Sequence, residues 1–175
     1  SSLSAIKTTN DSTAVGYNAL LLDTGGSNTA LGSYAGDAIT AGTGNIAIGL
    51  NALGLVSTGY SNIGIGNGAG DAITTTGDGN VFIGDAAGGA LISTDYSTAV
   101  GHSALLSNTA AQITAVGAYS LDANTSGVRN TALGYQSLSA IVTANDSTAV
   151  GYNALALDTG GSNIALGSQA GDNIT

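Results

Sequence analysis

The chain has 175 residues, a formal net charge of −9 and only two residues of Lys or Arg. This charge excludes nucleic acid as a partner, because neutralising phosphates requires many Lys and Arg, and it disfavours an anionic membrane surface. Cys, Met, Pro and Trp are absent, whereas Gly accounts for 28 residues. A thick globular core is hard to build from this composition. Hydrophobic residues nevertheless make up 43% of the chain, which is too large a share for a disordered protein. We therefore expect a thin and regular fold.

A five-residue phrase recurs ten times in chain order, and it begins with Asn or Ser in every copy but one. The copies are STAVG (12–16), NTALG (28–32), NIAIG (45–49), NIGIG (62–66), NVFIG (80–84), STAVG (97–101), ITAVG (113–117), NTALG (130–134), STAVG (147–151) and NIALG (163–167). Each ends in a glycine, and the glycines are 16 to 18 residues apart: Gly16, Gly32, Gly49, Gly66, Gly84, Gly101, Gly117, Gly134, Gly151 and Gly167. Self-similarity at a short fixed period predicts a repeat architecture with one structural unit per copy.

A longer period lies on top of the short one. Residues 4–40 match residues 139–175 at 31 of 37 positions, with an offset of 135 residues. Residues 1–175 are therefore interpreted as a single continuous repeat array, and as a window of a longer repetitive fibre.

The residues before each glycine alternate in type, as in a β-strand. The position three before the glycine is Thr or a β-branched aliphatic residue, and the position one before it is always Val, Leu or Ile. These two rows share one strand face, and the intervening Ala or Gly residues, with Phe82 as the bulky exception, form the other. The row next to the glycine is predicted to be the core row: Val15, Leu31, Ile48, Ile65, Ile83, Val100, Val116, Leu133, Val150 and Leu166.

The second half of each copy carries turn signals. Asp residues stand after the glycine in several copies, and a Thr follows roughly eight residues past it. No segment has a sustained helical apolar stripe, and glycine interrupts the chain too often for helices. The pattern predicts an all-β fold: a parallel β-solenoid, or β-roll, of about ten coils of 16–18 residues, each with two short strands and two turns.

The apolar positions are too many for one narrow coil. The β-branched rows, the small-residue row and six Leu positions cannot all lie inside a single flattened tube, so some of them are expected to pack between chains. The Leu positions are Leu20, Leu53, Leu105, Leu121, Leu138 and Leu155. Cyclic symmetry would close such an interface, although these spacings do not give the number of chains.

The phrase STAVGYNA (12–19), with NTALGSYA (28–35), NIAIGLNA (45–52) and STAVGHSA (97–104), resembles the YadA-like head repeat of trimeric autotransporter adhesins. It is also similar to repeats of some phage tail-fibre proteins. The resemblance covers essentially the whole chain and implies a left-handed, homotrimeric β-roll that is displayed on a surface for attachment. The coils here are somewhat longer than that family's usual repeat, and residues 1–175 contain no neck, coiled-coil stalk or membrane anchor.

Catalytic, cofactor and metal sites find little support in the sequence. His102 is the single histidine and stands at a turn position, so we expect a surface residue and no enzyme. The absence of Cys and of further His argues against a transition-metal site. Asp78, in TGDGN (76–80), is a calcium candidate, set against the alternative that it only forms a turn.

The predicted function is a structural or adhesive segment of an extracellular trimeric fibre, a cell-surface adhesin or a virion fibre such as a phage tail fibre for host attachment. Its expected partners are further copies of itself and a host-surface protein or glycan, on which exposed Tyr could stack. No segment of residues 1–175 is expected to insert into a membrane. The alternative is an ice-binding or other surface-recognition solenoid, although the paired Thr columns of ice-binding solenoids are missing around the Thr row of the second half-coil.

Overall fold

The computed structural model describes residues 11–72, 76–90 and 95–172. The described chain is a parallel β-solenoid with one ten-stranded sheet, in which each strand pairs with the strands that precede and follow it in sequence. The described residues contain no helix, and hence none long and apolar enough to cross a membrane. The strands are β1 (Thr13–Val15), β2 (Thr29–Leu31), β3 (Ile46–Ile48), β4 (Ile63–Ile65), β5 (Val81–Ile83), β6 (Thr98–Val100), β7 (Thr114–Val116), β8 (Thr131–Leu133), β9 (Thr148–Val150) and β10 (Ile164–Leu166).

The register of the sheet places equivalent residues of successive coils directly over one another. Val15 pairs with Leu31 and Leu31 with Ile48, as the repeat predicts. Each strand ends immediately before the repeat glycine, whose φ of 125° to 141° is a conformation that L side chains rarely adopt. The predicted all-β parallel solenoid, with a strand before each repeat glycine, is therefore confirmed.

The return half of each coil differs from the prediction. Each described coil has one strand rather than two, and turns close the rest of it. The residue four places after the glycine is left-handed in each described coil, with φ near 50° even where it is Leu, as in Leu53 and Leu138. Its N–H donates to a carbonyl of the next coil, for example Leu53 to Ala69 at 3.0 Å. Hydrogen bonds between coils thus stabilise a bend at this residue, and the bend prevents the return half from forming a second strand.

The core lies on the small-residue side of the sheet. The central residue of every strand is buried, as are the six Leu that stand four places after a repeat glycine. The predicted core row was wrong for the single chain, because the narrow tube admits only the Ala, Gly and Phe82 face of the strands. The row that lies instead on the outer face, partly or largely exposed, is Val15, Leu31, Ile48, Ile65, Ile83, Val100, Val116, Leu133, Val150 and Leu166.

A buried ladder of asparagines runs beside the strands. The Oδ1 of Asn45 accepts from the backbone N–H of Asn62 at 2.9 Å and from its Nδ2 at 3.1 Å. Asn62 repeats both contacts with Asn80, at 3.1 and 3.0 Å. The Nδ2 of Asn62 also donates to the carbonyl of Gly77 across the coil at 2.6 Å. The Asn and Ser at the start of each phrase therefore satisfy backbone groups inside the tube.

Candidate functional site

The outer sheet face is a regular surface that runs along all ten strands. We define it as the two outward columns of the ten strands, namely the row from Val15 to Leu166 described above and the row three residues before each glycine. The second row is Thr13, Thr29, Ile46, Ile63, Val81, Thr98, Thr114, Thr131, Thr148 and Ile164. Neither row contains a charged residue. The side chains of the row next to the glycine are partly or largely exposed to solvent, with Val15 55% and Leu133 48% exposed. A soluble protein rarely leaves an apolar strip of this regularity uncovered.

The Thr row of the second half-coil has a structural role. Thr40 Oγ1 donates to the carbonyl of Ser57 at 3.0 Å, and Thr125 Oγ1 donates to that of Val142 at 3.0 Å. Thr24 and Thr109 make the equivalent bond to the next coil at 2.8 and 2.7 Å. These hydroxyls are committed to hydrogen bonds between successive coils. Thr74, Thr94 and Thr175 of the same row lie outside the described residues.

Aromatic side chains line the corner that follows the glycines. His102, Tyr119, Tyr135 and Tyr152 belong to four successive coils and form a continuous row, which we call the aromatic corner. Their ring centroids are 5.2, 6.0 and 5.6 Å apart; the first two pairs are edge-to-face and the last is stacked. Tyr135 is 43% exposed and Tyr152 53%.

The same corner carries a separate pair of aromatic residues in two successive coils. Tyr17 and Tyr34 meet edge-to-face, with centroids 5.4 Å apart. The backbone below the rings is fixed, because the N–H of Tyr34 donates to the carbonyl of Tyr17 and the N–H of Tyr119 donates to that of His102. The corner is therefore a rigid support for exposed rings.

His102 lies on the surface, as predicted. Its Nδ1 is 3.3 Å from Asp85 Oδ2, and both side chains are about half exposed. On its other side the imidazole contacts the Tyr119 ring. This arrangement gives His102 a place in the aromatic row and no nucleophile to activate among its described contacts.

Asp78, the calcium candidate, takes part in the hydrogen bonds between coils. Its Oδ1 accepts from the N–H of Tyr60 at 3.0 Å, and its own N–H donates to Asp95 Oδ1 at 3.0 Å. A hydrogen bond with the same carboxylate raises the pKa of Tyr60. Within the described residues, no three His, Cys, Asp or Glu side chains converge as metal ligands. The geometry favours the turn-forming alternative for Asp78.

The turn aspartates form a second group of acids. Asp37 and Asp71 line a notch of about 300 Å³ together with Asn51, Gly54 and Leu55. Partial burial removes water from these carboxylates and raises the pKa of both. The same cause raises the pKa of Asp122. They lie in turns, as predicted, and bear on stability more than on binding.

The aromatic corner is the surface that sequence reasoning missed. Five of the seven Tyr residues are divided between two adjacent positions after the glycine, so the sequence does not show them as one column. In the solenoid the two positions converge, because the N–H of the second position bonds to the carbonyl of the first position in the preceding coil. An alignment of coils that merged both positions would have revealed the row.

Comparison of the chain with protein-family models, with curated proteins and with solved structures finds no match in any of the three.

Proposed function

We propose that the chain is a structural and adhesive segment of an extracellular fibre, displayed on a cell or a virion, in which three copies pack through their outer sheet faces. The observation that carries the proposal is the outer sheet face itself: ten coils present two columns of Thr and aliphatic side chains with no charge. Packing copies through this strip buries apolar surface at about 25 cal/mol per Å². With cyclic symmetry, the outer sheet face of every copy is covered by another copy.

The number three and the display on a surface come from the resemblance of the repeat to YadA-like head repeats and to phage tail-fibre repeats. The repeat register supports an elongated segment, since each coil contacts only its neighbours along the stack. The proposal assigns the chain no catalytic role and no cofactor.

The first test is the mass of the chain in solution. We expect multi-angle light scattering and native mass spectrometry to give three times the mass of the 16.7 kDa chain. Leu133→Asp places a carboxylate on the outer sheet face and should yield monomers. Leu157→Asp is the control, because Leu157 is at least as exposed as Leu133 but lies off the strands. A wild-type monomer, or equal dissociation by both variants, would contradict the interface.

Ice binding is the second candidate, and the outer sheet face is also the observation that favours it. Six Thr stand in one of its columns, and four of them, Thr98, Thr114, Thr131 and Thr148, lie in successive strands at the strand spacing of about 4.8 Å. A monomer that shows thermal hysteresis, with loss of that hysteresis in Thr114→Lys, would favour this candidate over the fibre. A trimer without thermal hysteresis would favour the fibre.

A further inference from the structure

We propose that the aromatic corner binds a linear, uncharged polysaccharide, with the parallel, exposed rings of Tyr135 and Tyr152 packing against its sugar rings and Tyr119 and His102 extending the row. This inference goes beyond the proposed assembly and does not depend on it, because the corner lies after the glycines and not on the outer sheet face. It rests on the shape of the row, on the polar groups beside it and on its charge.

The shape fits an extended polymer. The row is one side chain wide and spans four coils, with an aromatic ring at every 5.2 to 6.0 Å. A specific protein interface usually buries about 800 Å² on each partner, which a strip of this width does not offer. A chain of sugars that runs along the solenoid axis could contact successive rings one after another.

Polar side chains flank the rings at the neighbouring position of the same corner. Gln136 follows Tyr135 and Asn153 follows Tyr152, and both residues are partly exposed. Both have left-handed backbones whose N–H groups bond to the preceding coil. The Tyr hydroxyls and the Gln136 amide provide both donors and acceptors, which are the groups that sugar hydroxyls require. Because the backbone is already fixed, ordering it on binding costs little.

Charge selects an uncharged ligand. Arg129 is the one fixed cation in the described part of the chain, and its guanidinium is engaged by both carboxylate oxygens of Asp146 at 2.6 and 2.9 Å. At the His102 end of the row stands the Asp85 carboxylate. Sulfated or uronate polymers and nucleic acids would meet net repulsion along the row, because nothing there neutralises their charge.

Affinity electrophoresis of the whole chain tests the inference. Native gels would contain one soluble polysaccharide each: hydroxyethyl cellulose, galactomannan, a β-1,3-glucan or dextran as uncharged probes, and heparin or polygalacturonate as anionic ones. We expect retardation by at least one uncharged probe and by neither anionic probe. Retardation by the anionic probes alone, or by no probe, would overturn the proposal, as would specific binding confined to a protein of the host surface.

Variants locate the binding surface. Tyr135→Ala combined with Tyr152→Ala should weaken retardation at least tenfold in apparent affinity, while Tyr96→Ala, which removes a more exposed ring elsewhere, should leave it unchanged. Circular dichroism and light scattering of each variant separate loss of binding from loss of fold or assembly. An equal effect of Tyr96→Ala would contradict the assignment. Retained binding by the Leu133→Asp variant, whatever its mass, would show that the corner acts independently of the proposed trimer.

Discussion

At the scale of single residues, the repeat glycine is fixed by two separate constraints. Its φ lies between 125° and 141°, which side chains rarely tolerate, and a Cβ would overlap the carbonyl group of the equivalent glycine in the next coil. For Gly49 the obstacle is the carbonyl of Gly66. Such a contact involves backbone on both sides, so no side-chain rotation can relieve it.

Gly49→Ala should therefore lower the free energy of unfolding by at least about 3 kcal/mol, from backbone strain and overlap together. The measurement is urea denaturation followed by circular dichroism. Gly160→Ala is the control, because a Cβ there meets Asp158 Oδ1 at 3.4 Å and Asn163 Nδ2 at 3.6 Å, which are ordinary contacts. If both variants lost the same stability, the stacking constraint would be refuted.

The glycines and the strands could be predicted from spacing alone, but the inward face could not. Alternation shows that Ala30 and Leu31 point to opposite sides, yet either side could be the interior. Large apolar residues are usually buried, so residue type alone favours the larger residue as core. Here the coil is too narrow, so Ala30 is buried and Leu31 is half exposed. The interior role of Asn28 and its equivalents was also hidden, since Asn at a strand start is equally typical of a turn.

At the scale of one coil, large and small residues alternate so that the interior stays filled. Gly36 stands where other coils have Leu, and a Cβ there would come within 2.9 Å of Ile39 Cδ1 and 3.1 Å of Leu20 Cδ2. Phe82 is accommodated in the same way: it pairs with Gly64 in the sheet, and a Cβ on Gly70 would lie 2.5 Å from the Phe82 ring. Each glycine of this kind is explained by the neighbour that occupies its space.

Phe82→Ala should cost about 3–5 kcal/mol of stability, because it empties a fully buried site. Gly70→Ala should also destabilise the fold, but the double variant should lose less than the sum, since the added methyl no longer meets the ring. Urea unfolding of the four members of the cycle measures this coupling. Tyr96→Ala, at an exposed ring, is expected to change stability little, and strict additivity of the cycle would contradict the packing account.

An excess of apolar positions over what one coil can bury is visible in the residue types, whereas the alignment of the rings in the aromatic corner is not. An excess of apolar positions can be counted in the sequence, so the need to cover one face was predicted without coordinates. The alignment of Tyr119 with Tyr135 depends instead on which carbonyl each left-handed residue bonds to. That choice is made by the three-dimensional turn and is not visible in residue types.

At the scale of the whole molecule, charge makes stability depend on pH. The chain carries eleven Asp against two Lys or Arg, so its acidic groups repel one another at neutral pH. Desolvation by burial raises the pKa of Asp37, Asp71 and Asp122 above the ordinary value of 3.8. The folded state then binds protons more readily than the unfolded state. The free energy of unfolding therefore decreases as the pH rises from the ordinary aspartate pKa through the raised pKa values of the folded state. The exposed Asp146 works in the opposite direction, because its hydrogen bond with Arg129 lowers its pKa.

The melting temperature should therefore rise as the pH is lowered from about 7 toward the ordinary aspartate pKa, contrary to the usual acid destabilisation of carboxylate-paired proteins. Replacing Asp37, Asp71 and Asp122 together by Asn should raise the melting temperature at pH 7 and flatten its pH dependence, because the desolvated charges are gone. Asp146→Asn is the control and should steepen the rise, since it removes the one lowered carboxyl among those described. Scanning calorimetry across this range decides the matter: a melting temperature that falls steadily on acidification would show that paired, not desolvated, carboxylates govern the stability of the solenoid.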